Sequence, residues 1–197
     1  MTAQIGDSFR FKNHEYSIVA MSEPLCFRPQ DYGIIPVGIC TACYEGFWCE
    51  YEISDAGIIL ENFYVNAKED YYPAVNGVTP LEEGDGQFQY MGHHYYKGVH
   101  IKMLYTGKIV AGKDFLRDYY IHMGYQRAWA YRELKEFVFE EGVLADVIDH
   151  SRTAEELREQ IGKDPDFWIK LHKDPTFIES CFDLSMETKA WWIQSGE

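Results

Sequence analysis

The stretch Phe47-Trp48-Cys49-Glu50-Tyr51-Glu52-Ile53-Ser54-Asp55-Ala56-Gly57-Ile58-Ile59-Leu60-Glu61-Asn62-Phe63-Tyr64-Val65 decides the fold class. Phe47, Cys49, Tyr51 and Ile53 recur at a period of two. So do Trp48, Glu50 and Glu52, and an extended segment therefore puts an apolar row on one face and a Trp with two carboxylates on the other. Ser54-Asp55-Ala56-Gly57 supplies turn chemistry, because short polar side chains and glycine accept the backbone angles of a tight reversal. The run Ile58 to Val65, rich in β-branched and aromatic residues, then returns. The expectation is an antiparallel hairpin.

Outward from this hairpin the same grammar repeats. Phe9 and Phe11 alternate with polar residues, Asn13-His14 offers a turn, and Tyr16, Ile18 and Ala20 resume the alternation. A third hairpin is expected from His100 to Tyr105, turning at Thr106-Gly107 and returning through Ile109-Val110-Ala111. A fourth runs Leu134 to Phe139, turns at Glu140-Glu141-Gly142 and returns through Val143 to Ile148. These predict an α+β chain that is mainly β: antiparallel hairpins forming a curved sheet, sandwich or partly open barrel, with short C-terminal helices packed on it. Residues 67–96 hold Pro73, Asn76-Gly77, Pro80 and Gly84-Asp85-Gly86, too many breakers for regular structure. Tyr71, Tyr72, Tyr90, Tyr95 and Tyr96 argue for an ordered excursion that covers the sheet, since aromatic rings seek burial or a partner. Residues 114–131 read equally well as a short helix capped by Asp114 or as a strand.

From Ser151 the pattern is helical. Thr153 with Glu156 forms a capping box, Leu157 and Ile161 lie four apart, and Gly162 ends the helix. Asp164-Pro165 and Asp174-Pro175 each set a capping carboxylate before a proline, predicting two further short helices. Phe167, Trp168, Leu171, Phe177, Ile178, Cys181, Trp191 and Trp192 are too apolar for a free tail. The chain thus reads as a β-rich domain over 1–150 and a helical segment over 151–197 packed on the same domain.

Charge narrows the function. The chain has 32 acidic and 18 basic residues, a net charge of −14, and residues 1–96 alone hold 14 acidic against 4 basic, a balance of −10. Such a field repels polyanions, so direct nucleic-acid binding and anionic-membrane binding are not expected. Met1 to Asp7 lack the basic start and apolar stretch of a signal peptide, and the most apolar run, Gly33 to Ala42, is short and contains Pro36. A cytoplasmic protein without a membrane span is expected, with its five cysteines reduced. Nothing in the sequence sets an oligomeric state.

Candidate chemistry is sparse. Cys40-Thr41-Ala42-Cys43 has redox-pair spacing, yet the following Tyr44 to Trp48 opens a strand, not the helix whose dipole lowers a thiol pKa. Zinc would need Cys26, Cys40, Cys43 and Cys49 to converge, and buried structural thiols are the simpler account. His93, His94 and His100 could join at a metal only through a special bend, while Asp118 and His122 could pair on a helix without any recognisable nucleophile. No catalytic residue, metal or cofactor is expected. The leading expectation is a non-enzymatic, acidic protein-binding module of the inhibitor, immunity or nucleic-acid-mimic type that docks a basic macromolecular partner. Its docking residues are Glu50, Glu52, Glu69, Asp70, Tyr71, Tyr72, Glu82, Glu83 and Asp85. The alternative is a small-molecule-binding β-barrel or unrecognised enzyme with an aromatic-lined pocket at Trp48, Glu50, Tyr72 and His94.

Overall fold

The computed structural model describes residues 2–38, 40–81, 94–190 and 192. Eight strands form one mixed sheet: β1 (Ser8–Phe11), β2 (His14–Met21), β3 (Phe47–Ser54), β4 (Gly57–Val65), β5 (His94–Met103), β6 (Gly107–Phe115), β7 (Tyr131–Glu140) and β8 (Val143–Asp149). Their order is β5-β4-β3-β1-β2-β6-β7-β8. Every pair is antiparallel except β1 with β3. Four short helices follow: α1 (Ser151–Lys163), α2 (Phe167–Lys173), α3 (Phe177–Cys181) and α4 (Met186–Lys189).

Three of the predicted hairpins form. β1 and β2 turn through Lys12 and Asn13, both in the left-handed region with φ of 48° and 64°, which matches the twist of flanking strands. β3–β4 and β7–β8 close through Asp55-Ala56 and Glu141-Gly142. The third predicted hairpin does not form. Among the eight strands β5 pairs with β4, whereas β6 lies between β2 and β7. The local strand-turn-strand signal at Thr106-Gly107 is real, but it marks a crossing, not a ladder. The Tyr105 hydroxyl donates to the carbonyls of Glu23 (2.9 Å) and Lys108 (3.1 Å), and the Tyr105 carbonyl accepts from Gly142 N–H (2.8 Å). These bonds hold the connector against the β7–β8 turn.

The sheet curls until its halves face each other without closing. Its inner face carries the principal core, in which Phe9, Phe11, Tyr16 and Ile18 from β1–β2 meet Tyr51, Ile53, Ile58 and Phe63 on one side and Phe137 and Phe139 on the other. Phe137 sits edge-on to both Phe9 (4.9 Å) and Phe11 (5.1 Å), a geometry that favours ring quadrupoles. Part of the long loop covers this core as expected: Val75 is fully buried, Tyr72 and Val78 pack on it, and the Tyr96 hydroxyl donates to Pro73 O (2.8 Å).

The outer face divides in two. Over β2, β6 and β7, a second core of Val19, Val110 and Leu134 packs under Ala154 of α1 and Met186 of α4. Arg158 ties α1 down by donating to the carbonyls of Trp129 (3.0 Å) and Tyr131 (2.7 Å). Helix α1 starts at Ser151, before the predicted capping box, because Asp149 Oδ1 accepts Ser151 N–H (2.8 Å) and turns β8 straight into the helix. Segment 116–130 contains single 3-10 turns at Arg117–Tyr119 and Ala128–Ala130 in place of the helix or strand its sequence allowed. Over β1, β3, β4 and β5 no helix lies among the described residues.

At one rim of the inner face, Glu133 accepts from Tyr16 Oη (2.5 Å), Lys113 Nζ (2.9 Å) and Lys135 Nζ (2.6 Å), joining β2, β6 and β7. Burial acts to raise its pKa, and the bonds from Lys135, Tyr16 and Lys113 overcome that, leaving it at about 2 against an ordinary 4.5. The stabilisation this implies is present above pH 4.5 and lost as pH falls through 2. Glu133→Gln is therefore expected to lower stability by about 2 kcal/mol at pH 7, with the difference closing towards pH 2, read from urea unfolding across that range.

Candidate docking surface

The outer face of β1, β3, β4 and β5 is built by register. From the β3–β4 turn, Ser54 pairs Gly57, Ile53 Ile58, Glu52 Ile59 and Tyr51 Leu60, and an unbroken ladder would next set Glu50 against Glu61. That pairing would oppose like charges and send Phe63 outward. Instead Glu61 bulges, Glu50 pairs Asn62, and Phe63 and Val65 stay in the core. Asn62 Nδ2 donates to Glu50 Oε2 (2.9 Å), while its Oδ1 accepts Gly98 N–H (3.0 Å). Glu50 is thereby held in one orientation. Opposite the bulge, Gly98 and His100 take φ of 74° and 47°, which aims His100 Nδ1 at Glu61 Oε1 (3.1 Å).

The result is a set of polar rows across the strands. Glu15, Arg10 and Glu52 are neighbours on β2, β1 and β3, with Arg10 Nη2 on Glu52 Oε2 (2.8 Å). Ser8, Glu50, Asn62 and Lys97 form the next row. Of these, Ser8, Arg10, Glu15, Glu50, Asn62 and Lys97 line a groove of about 440 Å³. Beyond it, Trp48, Tyr64 and Tyr95 stack as a cross-strand ladder with centroids 4.5 and 4.4 Å apart. Trp48 and Tyr64 are buried, with Cys40, Cys43 and Ile5 packed on them, so the ladder is a wall behind the groove.

Past the end of β4 the chain makes a single 3-10 turn at Lys68–Asp70. Glu69 and Asp70 are consecutive left-handed residues, φ 64° and 52°, a conformation that is strained for side chains other than glycine. Both carboxylates are exposed. Tyr71 follows, 60% exposed, near Gly33, and Ile35 is 58% exposed with its carbonyl accepting Lys68 N–H (2.8 Å). Large apolar side chains so displayed beside carboxylates are the usual anatomy of a contact anchor.

The structure thus places the sequence-derived docking residues in two zones of the outer surface. Glu50 lies in the groove, Glu52 pairs with Arg10 of its lining, and Glu69, Asp70 and Tyr71 are on the turn, with the aromatic ladder between them along the strands. Tyr72 instead points inward, its hydroxyl accepting Ala67 N–H (3.2 Å) and its ring stacked on His94 at 3.5 Å. Glu82, Glu83 and Asp85 lie outside the described residues. Of the alternative pocket, Trp48 and Glu50 are on the outer face while Tyr72 and His94 are on the core side of β4–β5, so the sheet separates the two pairs. Glu15, Glu61, Asn62 and His100 were missed by sequence reasoning. Their only linear signal was the Glu50–Glu61 conflict itself, since a hairpin closed at Ser54–Gly57 sets like charges opposite.

The cysteines do not converge. Cys49 is in the inner core, Cys43 packs on the outer ladder and Cys26 is exposed, and among the described residues no group of His, Cys, Asp or Glu is arranged to hold a metal. Bending at Gly98 and His100 puts His94 and His100 on different faces, which removes the shared face an unbroken strand would have provided; His93 lies outside the described residues. Asp118 is on a 3-10 turn that ends before His122, so the helical pairing of those two does not arise. The chain matches no family model, and no significant likeness to a curated protein or a solved structure is found.

Proposed function

We propose that this chain is a non-enzymatic binding module that docks a basic macromolecular partner, as an inhibitor or immunity protein does. The observation that carries the reading is the turn at Lys68–Asp70. It presents Glu69 and Asp70 on strained left-handed backbone beside the exposed rings and branches of Tyr71 and Ile35. Strain of this kind persists where surrounding structure imposes it and clusters at sites of function. The groove adds Glu15 and Glu50, whose carboxylates have no ion-pair partner among the described residues, as sockets for basic side chains. A net charge of −14 supports fast, salt-sensitive encounter with a cationic protein.

A cytoplasmic setting accords with five free thiols. Among the described residues no helix is long and apolar enough to cross a membrane. The test is affinity capture from source lysate at low and moderate salt, with the intact chain and a Glu69→Lys, Asp70→Lys, Tyr71→Ala variant as parallel baits. A stoichiometric basic protein, released as salt rises and bound at least tenfold more weakly by the variant, is the expected result. Equal capture by both baits would remove the turn from the interface and overturn the reading.

A further inference from the structure

Where the curled sheet opens beside the N-terminal end of β1, a cavity of about 160 Å³ enters the principal core. Its walls include Met21, Leu25, Phe27 and Phe47, and its polar groups include Asp7, Glu45 and Tyr125. Asp7 Oδ1 accepts Cys49 N–H (2.8 Å), and the second carboxylate oxygen has no donor among the described residues. The titratable groups that act on Asp7 or feel its charge are Glu45, Cys43, Cys49, Tyr51 and Tyr125, all of them acids. A space with apolar side chains along its walls and an uncompensated carboxylate suits a ligand with an aliphatic stem and a cationic head.

We propose that this cavity binds a primary alkylammonium group, its methylenes against Met21, Leu25, Phe27 and Phe47 and its ammonium on the free oxygen of Asp7, with Glu45 adding a second negative charge. The volume equals that of about five waters, which the five heavy atoms of n-butylammonium would fill. The site stands apart from the groove and the Glu69–Asp70 turn and does not rest on the docking role. Protonation supports it. Burial, opposed by the Cys49 amide and aided by Glu45, holds the Asp7 pKa at about 7. The ligand takes the ionised form, about a tenth of molecules at pH 6 and about nine tenths at pH 8, so affinity rises roughly tenfold across that range.

The probe is n-butylammonium chloride, titrated into the full chain by calorimetry and amide NMR, with n-butanol as its neutral counterpart. Saturable binding is expected, at least tenfold tighter than n-butanol and strengthening from pH 6 to pH 8. Asp7→Asn keeps an oxygen for the Cys49 amide, so the fold is retained and affinity falls at least tenfold. Glu45→Gln, at an exposed position, weakens binding several-fold and reads the site independently. Nα-acetyl-lysine methylamide separates the sources: binding as tight as n-butylammonium assigns the site to a lysine side chain, and exclusion of the blocked lysine assigns it to a free amine. Either result supports the alkylammonium site. Binding of n-butanol equal to the amine, unchanged affinity in both variants, or no binding at millimolar amine overturns it.

Discussion

Gly57→Ala is expected to lower stability by about 3 to 4 kcal/mol, among the largest losses any single substitution in this chain would produce. Gly57 opens β4 with φ of 114°, a region closed to side chains, and a Cβ there would collide with the carbonyl oxygen of Gly142 in the β7–β8 turn. Backbone cannot yield as a flexible side chain does, so the two turns must separate. Their contact brings the two halves of the open sheet together at one end, where Ile53 and Ile58 share a core with Phe137 and Phe139, and separation would admit water to that core. Gly142→Ala is the milder comparison, because its Cβ would approach Met103 O only to 3.2 Å, and about 1 to 2 kcal/mol is expected. Urea midpoints of both variants test this. A Gly57→Ala loss below about 1 kcal/mol would mean the ends of the sheet do not meet as described.

Asp7→Asn is expected to act in the opposite direction, raising stability by about 3 kcal/mol at pH 8 while leaving it nearly unchanged at pH 4. The folded pKa of Asp7, about 7, stands above its ordinary 3.8. Folding therefore favours the protonated acid. Its favourable contribution is complete below pH 3.8 and is lost as pH rises to the folded value, beyond which the protein carries a desolvated carboxylate. A shift of about 3 units at 1.36 kcal/mol each sets a ceiling near 4 kcal/mol, and access through the cavity reduces it. Asparagine keeps the bond to Cys49 and removes the charge. Denaturation curves at pH 4, 6 and 8 decide the matter, and an equal difference at all three would show that Asp7 is not the titrating group.

How much was legible beforehand differs between fold and site. The hairpin at Phe47–Val65 could be read from alternation and turn chemistry alone, because both are local properties of the chain. The same reasoning failed at Thr106-Gly107. A turn signal says that the chain reverses, not which strand receives its hydrogen bonds, and β5 finds β4 across the long 66–93 connection. The parallel pairing of β1 with β3 is equally invisible, since no short-range pattern encodes a neighbour 42 residues away, as Ser8 is from Glu50. For the site, Glu50 and Glu52 were placed correctly on the outward row by period-two alternation. Tyr72 and His94 were not separable from them in the sequence, because the face a loop residue meets depends on how the loop returns.

What the sequence determined by itself was the class of fold, the strand faces, the C-terminal helices and an excess of negative charge concentrated before residue 97. These follow from periodicity, capping and composition, which act over a few residues or over none. Tertiary structure alone decided the order of the strands in the sheet, that a bulge at Glu61 exchanges a carboxylate pair for an Asn62–Glu50 bond, and that Asp7 ends beside Glu45 in a cavity at the edge of the core. Each of these is a contact between segments far apart in the chain, where electrostatics and packing answer to three-dimensional distance rather than to spacing in sequence.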